Sequence, residues 1–284
     1  MRLRIDLAYD GSGFHGWARQ PGLRTVEEGL GRALDTVLRT TGTSLIVAGR
    51  TDTGVHARGQ VAHFDVAPEP VLAAAGRSHE PTMDAVRRRL NGILDPDVRI
   101  LRVAEAPDGF DARFSAVWRR YAYRIADRPE LVDPLTRGHV LARPQPLDLA
   151  AMNVASEALL GQHDFAAFCR RRAGATTIRT LLALHWDRDA TGLAVCTARA
   201  DAFCHTMVRA LVGCLVVVGE GRREGAWATE VLAGRRRDPA VTVARARGLT
   251  LEEVGYPPDG DLAARARESR AVRTLDTLMG PPAG

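Results

Sequence analysis

The sequence predicts an α+β protein built from two halves that repeat one order of elements: strand, helix, strand, strand, helix, strand. Three observations carry that reading. The opening segment alternates apolar and polar residues at period two, a capping signature then starts an amphipathic helix, and the same succession of patterns recurs in the second part of the chain. A chain of 284 residues has room for two hydrophobic cores, because domains usually run to about 100–200 residues.

From Arg2 to Tyr9, the residues Leu3, Ile5, Leu7 and Tyr9 share one face and Arg2, Arg4 and Asp6 the other, as in a half-buried strand. Thr25-Val26-Glu27-Glu28 is a capping-box signature, in which the Thr25 hydroxyl and the Glu28 side chain cover amides of the first turn. Val26, Leu30, Ala33, Leu34, Val37 and Leu38 follow at helical spacing until Gly42. Thr43 to Ala48 and Gln60 to Val66 read as strands, Thr82 to Leu94 as a second helix, and Asp97 to Ala104 as a fourth strand. This βαββαβ order is the ferredoxin-like one, an antiparallel sheet backed by two helices.

In the second half, Arg120 to Ala126 reads as a strand and Leu149 to Leu160 as a helix. Thr180 to Arg188 and Gly192 to Arg199 read as two strands joined by a tight turn. Phe203 to Val218 is too long and apolar for one strand and reads as a buried helix. A helix from Glu224 to Ala233 and a strand from Gly248 to Tyr256 complete the set. The halves share pattern but no matching residues. The expected division is residues 1–104, residues 105–270, and a flexible tail over 271–284, which ends in prolines and glycines.

Composition excludes several classes. With 45% hydrophobic and 26% charged residues the chain matches a folded globular protein. Cys169, Cys196, Cys204 and Cys214 form no CxxC pair, so neither a structural zinc site nor a disulfide framework is expected. The first residues lack the unbroken apolar centre of a signal peptide, and no stretch approaches the ~18 apolar residues of a membrane span. A cytoplasmic location is expected. The net charge is +5, and all 39 basic side chains are arginine. A basic surface favours a polyanionic partner, and arginine grips phosphate through two parallel hydrogen bonds. The runs Arg87 to Arg89, Arg170 to Arg172 and Arg235 to Arg237 are candidate phosphate contacts, although each alone reads as a solvated face.

Gly49 to Gln60 interleaves charged residues with three glycines between two strands, a composition that brings backbone close to a ligand. By composition alone it is equally a plain turn in which Asp52 bonds its own backbone. However, Gly49 to Phe64, GRTDTGVHARGQVAHF, resembles the signature of the tRNA pseudouridine synthase A family. Tyr9-Asp10-Gly11 with Phe14, Gly16 and Trp17, Phe110 to Tyr123, Gly161 to Phe168 with Arg179-Thr180, Phe203 to Gly213, and Gly248 to Pro257 resemble its other blocks in order.

The resemblance implies the pseudouridine synthase fold, with Asp52 as the catalytic carboxylate and Tyr121 as the active-site tyrosine. It also implies that Arg209 pairs with the aspartate and that Arg50 helps place the flipped base. The implied substrate is tRNA, modified at adjacent uridines of the anticodon arm, positions 38, 39 and/or 40. A homodimer whose subunits jointly cradle one tRNA is implied, without a cofactor or a metal. Ala18, Ala210 and Thr250 depart from the pattern, standing where the family usually carries glutamine, asparagine and tyrosine.

The residue types suit that chemistry. Cleaving the N-glycosidic bond of uridine gives C1′ oxocarbenium character, which a carboxylate stabilises or attacks. A tyrosine ring supplies a stacking wall for the base, and an arginine keeps a partly buried carboxylate ionised. The bland readings are these. Tyr121 shares a strand face with Tyr123 and Ile125 and reads as core. Arg209 interrupts an apolar helix, so a carboxylate partner is expected whatever the function. His56, His63 and His205 lack the compact spacing of metal ligands. Three competing functions are a non-catalytic RNA-binding protein, a metal-assisted hydrolase, and a pseudouridine synthase of other specificity. Against the first, aromatics make up only 5% of the chain and form no cluster suited to base stacking.

Overall fold

The computed structural model describes residues 1–76, 79–170, 176–271 and 274–275. Strand β1 (Arg2–Tyr9) buries Leu3, Ile5, Leu7 and Tyr9, as its alternation predicts. Helix α1 (Val26–Leu38) starts where the Thr25 hydroxyl accepts from the Glu28 amide at 3.4 Å. It stops at Arg39, whose φ of 54° takes the chain into the left-handed region before Gly42 is reached. Strand β2 (Ile46–Val47) keeps only the middle of the expected Thr43 to Ala48. Strand β3 (His56–Asp65) begins earlier than Gln60. Helix α2 (Pro68–Ala75) was not expected; α3 (Thr82–Ile93) and β4 (Val98–Glu105) were.

Then come β5 (Trp118–Ala126), β6 (Leu141–Ala142), α4 (Leu149–Glu157), β7 (Gly161–Asp164), β8 (Ile178–Arg188) and β9 (Ala194–Ala200). Helix α5 (Met207–Gly219) begins later than Phe203, because Thr206 is left-handed at φ 68° and cannot continue a helix. Helix α6 (Ala226–Ala233), strand β10 (Leu249–Gly255) and helix α7 (Leu262–Glu268) complete the chain. The class is α+β, as expected.

Two compact units result among the described residues, Met1–Val117 with Thr250–Arg270, and Trp118–Leu249. In the first unit β4, β1 and β3 pair antiparallel in that order. The free side of β3 takes two further strands, β2 antiparallel with Ile46 opposite His63, and β10 parallel with Thr250 opposite His56. Thus the final strand, expected in the second half, groups with the first unit. Helices α1, α2 and α3 pack on one another, and α3 runs against β4. Leu3, Ile5, Leu7, Leu30, Leu34, Val86 and Leu90 are wholly buried in this unit, each contributing roughly 1.5–3 kcal/mol through burial.

In the second unit β5, β9, β8 and β7 pair antiparallel in that order, and β6 runs parallel to β5 on its other edge. Helix α4 packs on β8, α5 and α6. Helix α5 is buried along almost its whole length, which explains why its sequence is apolar all round.

The cysteine expectation needs correction: Cys169 and Cys204 form a disulfide, with Cα atoms 5.7 Å apart. Their sequence separation is 35, with no local motif to announce the pairing. Cys196 and Cys214 are free and buried, and burial pushes the Cys214 thiol up to about 12. Arg171 and Arg172 of the second arginine run, and 272–273 and 276–284 of the expected tail, lie outside the described residues. Among the described residues no helix is long and apolar enough to cross a membrane.

Candidate active site

In the first unit, Asp52 and Arg50 stand on the loop from Gly49 to Val55 that leads into β3. Asp52 is half-buried and Arg50 exposed. The loop is fastened by its backbone. The Trp17 amide donates to the Thr51 carbonyl at 3.0 Å, the Gly54 amide to the Phe14 carbonyl at 3.2 Å, and the Val55 amide to the Asp52 carbonyl at 3.1 Å. Two glycines make this possible. Gly54 turns the loop at φ 76°, and at Gly16, with φ 87°, a Cβ would lie 2.8 Å from the Thr51 carbonyl oxygen.

The segment that holds the loop is itself anchored. Arg24 lies 4.0 Å over the Phe14 ring and donates to Asp95 at 2.7 Å and to both oxygens of Asp97 at 2.7 and 2.9 Å. Those bonds raise the Arg24 pKa and keep it charged. The Asp10 carboxylate accepts from the Ser12 amide at 2.9 Å. His56 Nδ1 is 3.0 Å from the same Asp10 oxygen and 3.1 Å from the Gly11 amide. Burial acts to raise the Asp10 pKa, but the Ser12 bonds and the His56 charge outweigh it and hold the carboxyl below its ordinary value.

In the second unit, Tyr121 lies on β5 opposite Ala198 of β9. It is 7% exposed, as a core position would be. Its ring meets Phe203 edge to face, centroids 5.2 Å apart at 90°. Two residues on, Tyr123 donates its hydroxyl to the Arg245 carbonyl at 2.7 Å, and burial drives its phenol far up. Arg209 is half-buried on α5, and its Nε donates to the Ala244 carbonyl at 2.7 Å while the Ala244 amide returns a bond to the Arg209 carbonyl at 2.9 Å. The turn before α5 is tied down by the Cys169–Cys204 disulfide and by the Arg170 amide on the His205 carbonyl at 3.0 Å.

The same segments carry similarity to known proteins. A family model for tRNA pseudouridine synthase matches residues 155–257. A tRNA pseudouridine synthase A from Streptomyces griseus is 60% identical over 277 residues, covering 97% of this chain and 95% of that protein. The chain belongs to the tRNA pseudouridine synthase A family. Proteins of that name from Frankia casuarinae and Leifsonia xyli are 56% and 54% identical over 280 and 283 residues. They cover 99% and 96% of this chain and 98% of each relative.

Against that family of isomerases the motifs take their places. The GRTDTG block is the fastened loop, FDARFSAVWRRYAY runs into β5, and FCHTMVRALVG spans the stapled turn and α5. Among the departures from the tRNA pseudouridine synthase A pattern, Ala18 is half-buried, Ala210 is packed inside α5, and Thr250 pairs across from His56. The histidines form no cluster: His63 accepts from the Ala112 amide at 3.0 Å, and burial lowers its pKa. Among the described residues no group of three or more His, Cys, Asp and Glu is arranged to hold a metal ion. Reading the sequence assigned no role to Thr51, Gln60 or Phe203. No local pattern marks Gln60, which shares its strand with the polar residues His56, Arg58, His63 and Asp65.

Proposed function

We propose that the chain isomerises uridine to pseudouridine in tRNA, with Asp52 as its catalytic carboxylate. The observation that carries this is the Asp52 loop: its backbone is bonded on both sides of a half-buried carboxylate, in a member of a pseudouridine synthase family. The reaction breaks the N1–C1′ bond, forms a C5–C1′ bond, and moves one proton from C5 to N1 by way of solvent. Every atom is conserved, so the chemistry calls for no co-substrate. Asp52 meets the positive charge that develops at C1′ as uracil leaves as a delocalised anion.

Tyr121, Arg50 and Arg209 bind the substrate in this reading. Tyr121 provides a wall for the detached ring, Arg50 places a base drawn out of its stack, and Arg209 supplies positive charge as the partner of the catalytic carboxylate. The targets are adjacent uridines of the anticodon arm, at positions 38, 39 and/or 40. A cytoplasmic homodimer acting on one tRNA completes the proposal.

The test uses unmodified tRNA transcripts and purified protein without added metal or nucleotide. Pseudouridine is mapped by carbodiimide-dependent reverse-transcription stops. Stops in the anticodon arm that vanish with Asp52→Ala support the whole reading. Stops elsewhere keep the chemistry and reject the specificity; tRNA binding without any stop rejects both and favours a non-catalytic RNA-binding protein.

A further inference from the structure

Beneath the Asp52 loop, three side chains outside the proposed catalytic set form a chain of hydrogen bonds. Tyr9, Thr51 and Gln60 are 5%, 6% and 0% exposed. Gln60 Nε2 donates to the Gly49 carbonyl at 2.9 Å and to the Tyr9 hydroxyl at 3.1 Å. A carbonyl can only accept, so the first bond fixes which end of the amide faces the loop. The Tyr9 hydroxyl, already accepting from Gln60, still has its own proton to share in the 2.8 Å hydrogen bond with Thr51 Oγ1, in which either hydroxyl can donate. Burial pushes the Tyr9 phenol up to about 12, so it keeps that proton at neutral pH.

We propose that the chain Gln60–Tyr9–Thr51 is the positioning layer of the active site, fixing the Asp52 carboxylate through the backbone on its N-terminal side. The inference rests on the reading of Asp52 as the catalytic group. Thr51 is held at its hydroxyl by Tyr9 and at its carbonyl by the Trp17 amide, and Gly49 is held by Gln60. The Asp52 carbonyl is taken by the Val55 amide. The backbone is thus fixed on both sides of Asp52. Loss of one bond lets the loop settle by a fraction of an ångström to an ångström, and a misplacement of about 1 Å costs on the order of 10²-fold in rate. Substrate contacts made by other residues are untouched, so the loss belongs to kcat.

Tyr9→Phe and Thr51→Val each delete one oxygen from this chain and keep the packed shape, whereas Thr51→Ser keeps the hydroxyl. The full-length variants are assayed for kcat and KM on a tRNA transcript, with melting temperature as the check on folding. Tyr9→Phe and Thr51→Val are expected to lower kcat by about 10- to 100-fold with KM within about twofold of wild type. Thr51→Ser restores most of the rate. A wild-type kcat in both deletion variants, a raised KM with kcat unchanged, or a serine variant as slow as the valine one would overturn the inference. If Tyr9→Phe melts early, the Thr51→Val and Thr51→Ser pair decides alone. Asp52→Ala separates the two levels: activity in it rejects the functional reading, whereas an inactive Asp52→Ala beside fast Tyr9→Phe and Thr51→Val rejects only the positioning layer.

Discussion

Asp127 has no exposed side-chain surface, and both its oxygens are engaged. Arg188 donates to them at 2.5 and 2.7 Å, and the Leu147 amide adds a bond at 3.0 Å. Burial acts to raise its pKa, but the Arg188 and Leu147 bonds prevail and hold it below the ordinary 3.8. A carboxyl depressed in the folded state gives its full stabilisation above its unfolded pKa and loses it as pH falls through the folded value. Asp127→Asn is therefore expected to cost about 3 kcal/mol at neutral pH, the low end for a broken buried pair because Arg188 is partly solvated. It should also flatten the fall of stability below about pH 4. Urea denaturation of both proteins across pH measures both effects. At this scale the roles proposed for Asp52, Arg50 and Arg209 came from the family resemblance, because a glycine-rich loop can also be a plain turn and an arginine in an apolar helix calls for a partner whatever the function. Tyr9 looked like one more inward side chain of β1, because periodicity reports burial and not the use of a hydroxyl. Its partner Thr51 is 42 residues away, beyond any local pattern.

Helix α1 shows an element that local chemistry announces. Thr25 is 1% exposed and bonds the Glu28 amide, so Thr25→Ala is expected to cost about 1 kcal/mol. Thermal denaturation should register this as a drop of about 2–4 °C that Thr25→Ser largely reverses. The missed or shifted elements have physical causes. Helix α2 opens at Pro68 with Pro70 close behind; the residues look like a turn, although proline is tolerated in a first helical turn. Strand β3 starts at His56, and the alternation of its first residues is interrupted by Gly59. The disulfide joins a loop to a helix-leading turn across a separation of 35, which no spacing rule reaches. Protein kept free of reductant and unfolded in guanidinium should titrate two thiols, Cys196 and Cys214, and all four after reduction. Four thiols in both samples would show that Cys169 and Cys204 are not bonded in solution.

For the whole molecule, the βαββαβ order of the first part of the chain was visible because each strand and helix carries its own periodicity. The pairing of β10 with β3 was not. Its parallel partner is His56 to Ala57, far upstream, and a parallel pairing leaves no hairpin signal in the sequence. Charge acts at this scale too. With a net charge of +5 carried by arginine, tRNA binding is expected to weaken steeply with salt, with a log–log slope near −4 for about five neutralised phosphates. Filter binding with Arg235, Arg236 and Arg237 changed together to alanine should reduce affinity for all tRNAs alike and flatten that slope. Unchanged salt dependence would remove this exposed run from the RNA surface. Sedimentation equilibrium tests the homodimer independently.

The central claim, that Asp52 carries uridine isomerisation, is tested most directly by tritium release from tRNA labelled at uracil C5. Joining C5 to C1′ expels the C5 hydrogen, so each turnover frees one tritium to water whatever position is modified. Release by the wild-type protein that falls to background with Asp52→Ala and Asp52→Asn, both still folded and still binding tRNA, is the predicted result. Release at the wild-type rate by either variant would contradict the account.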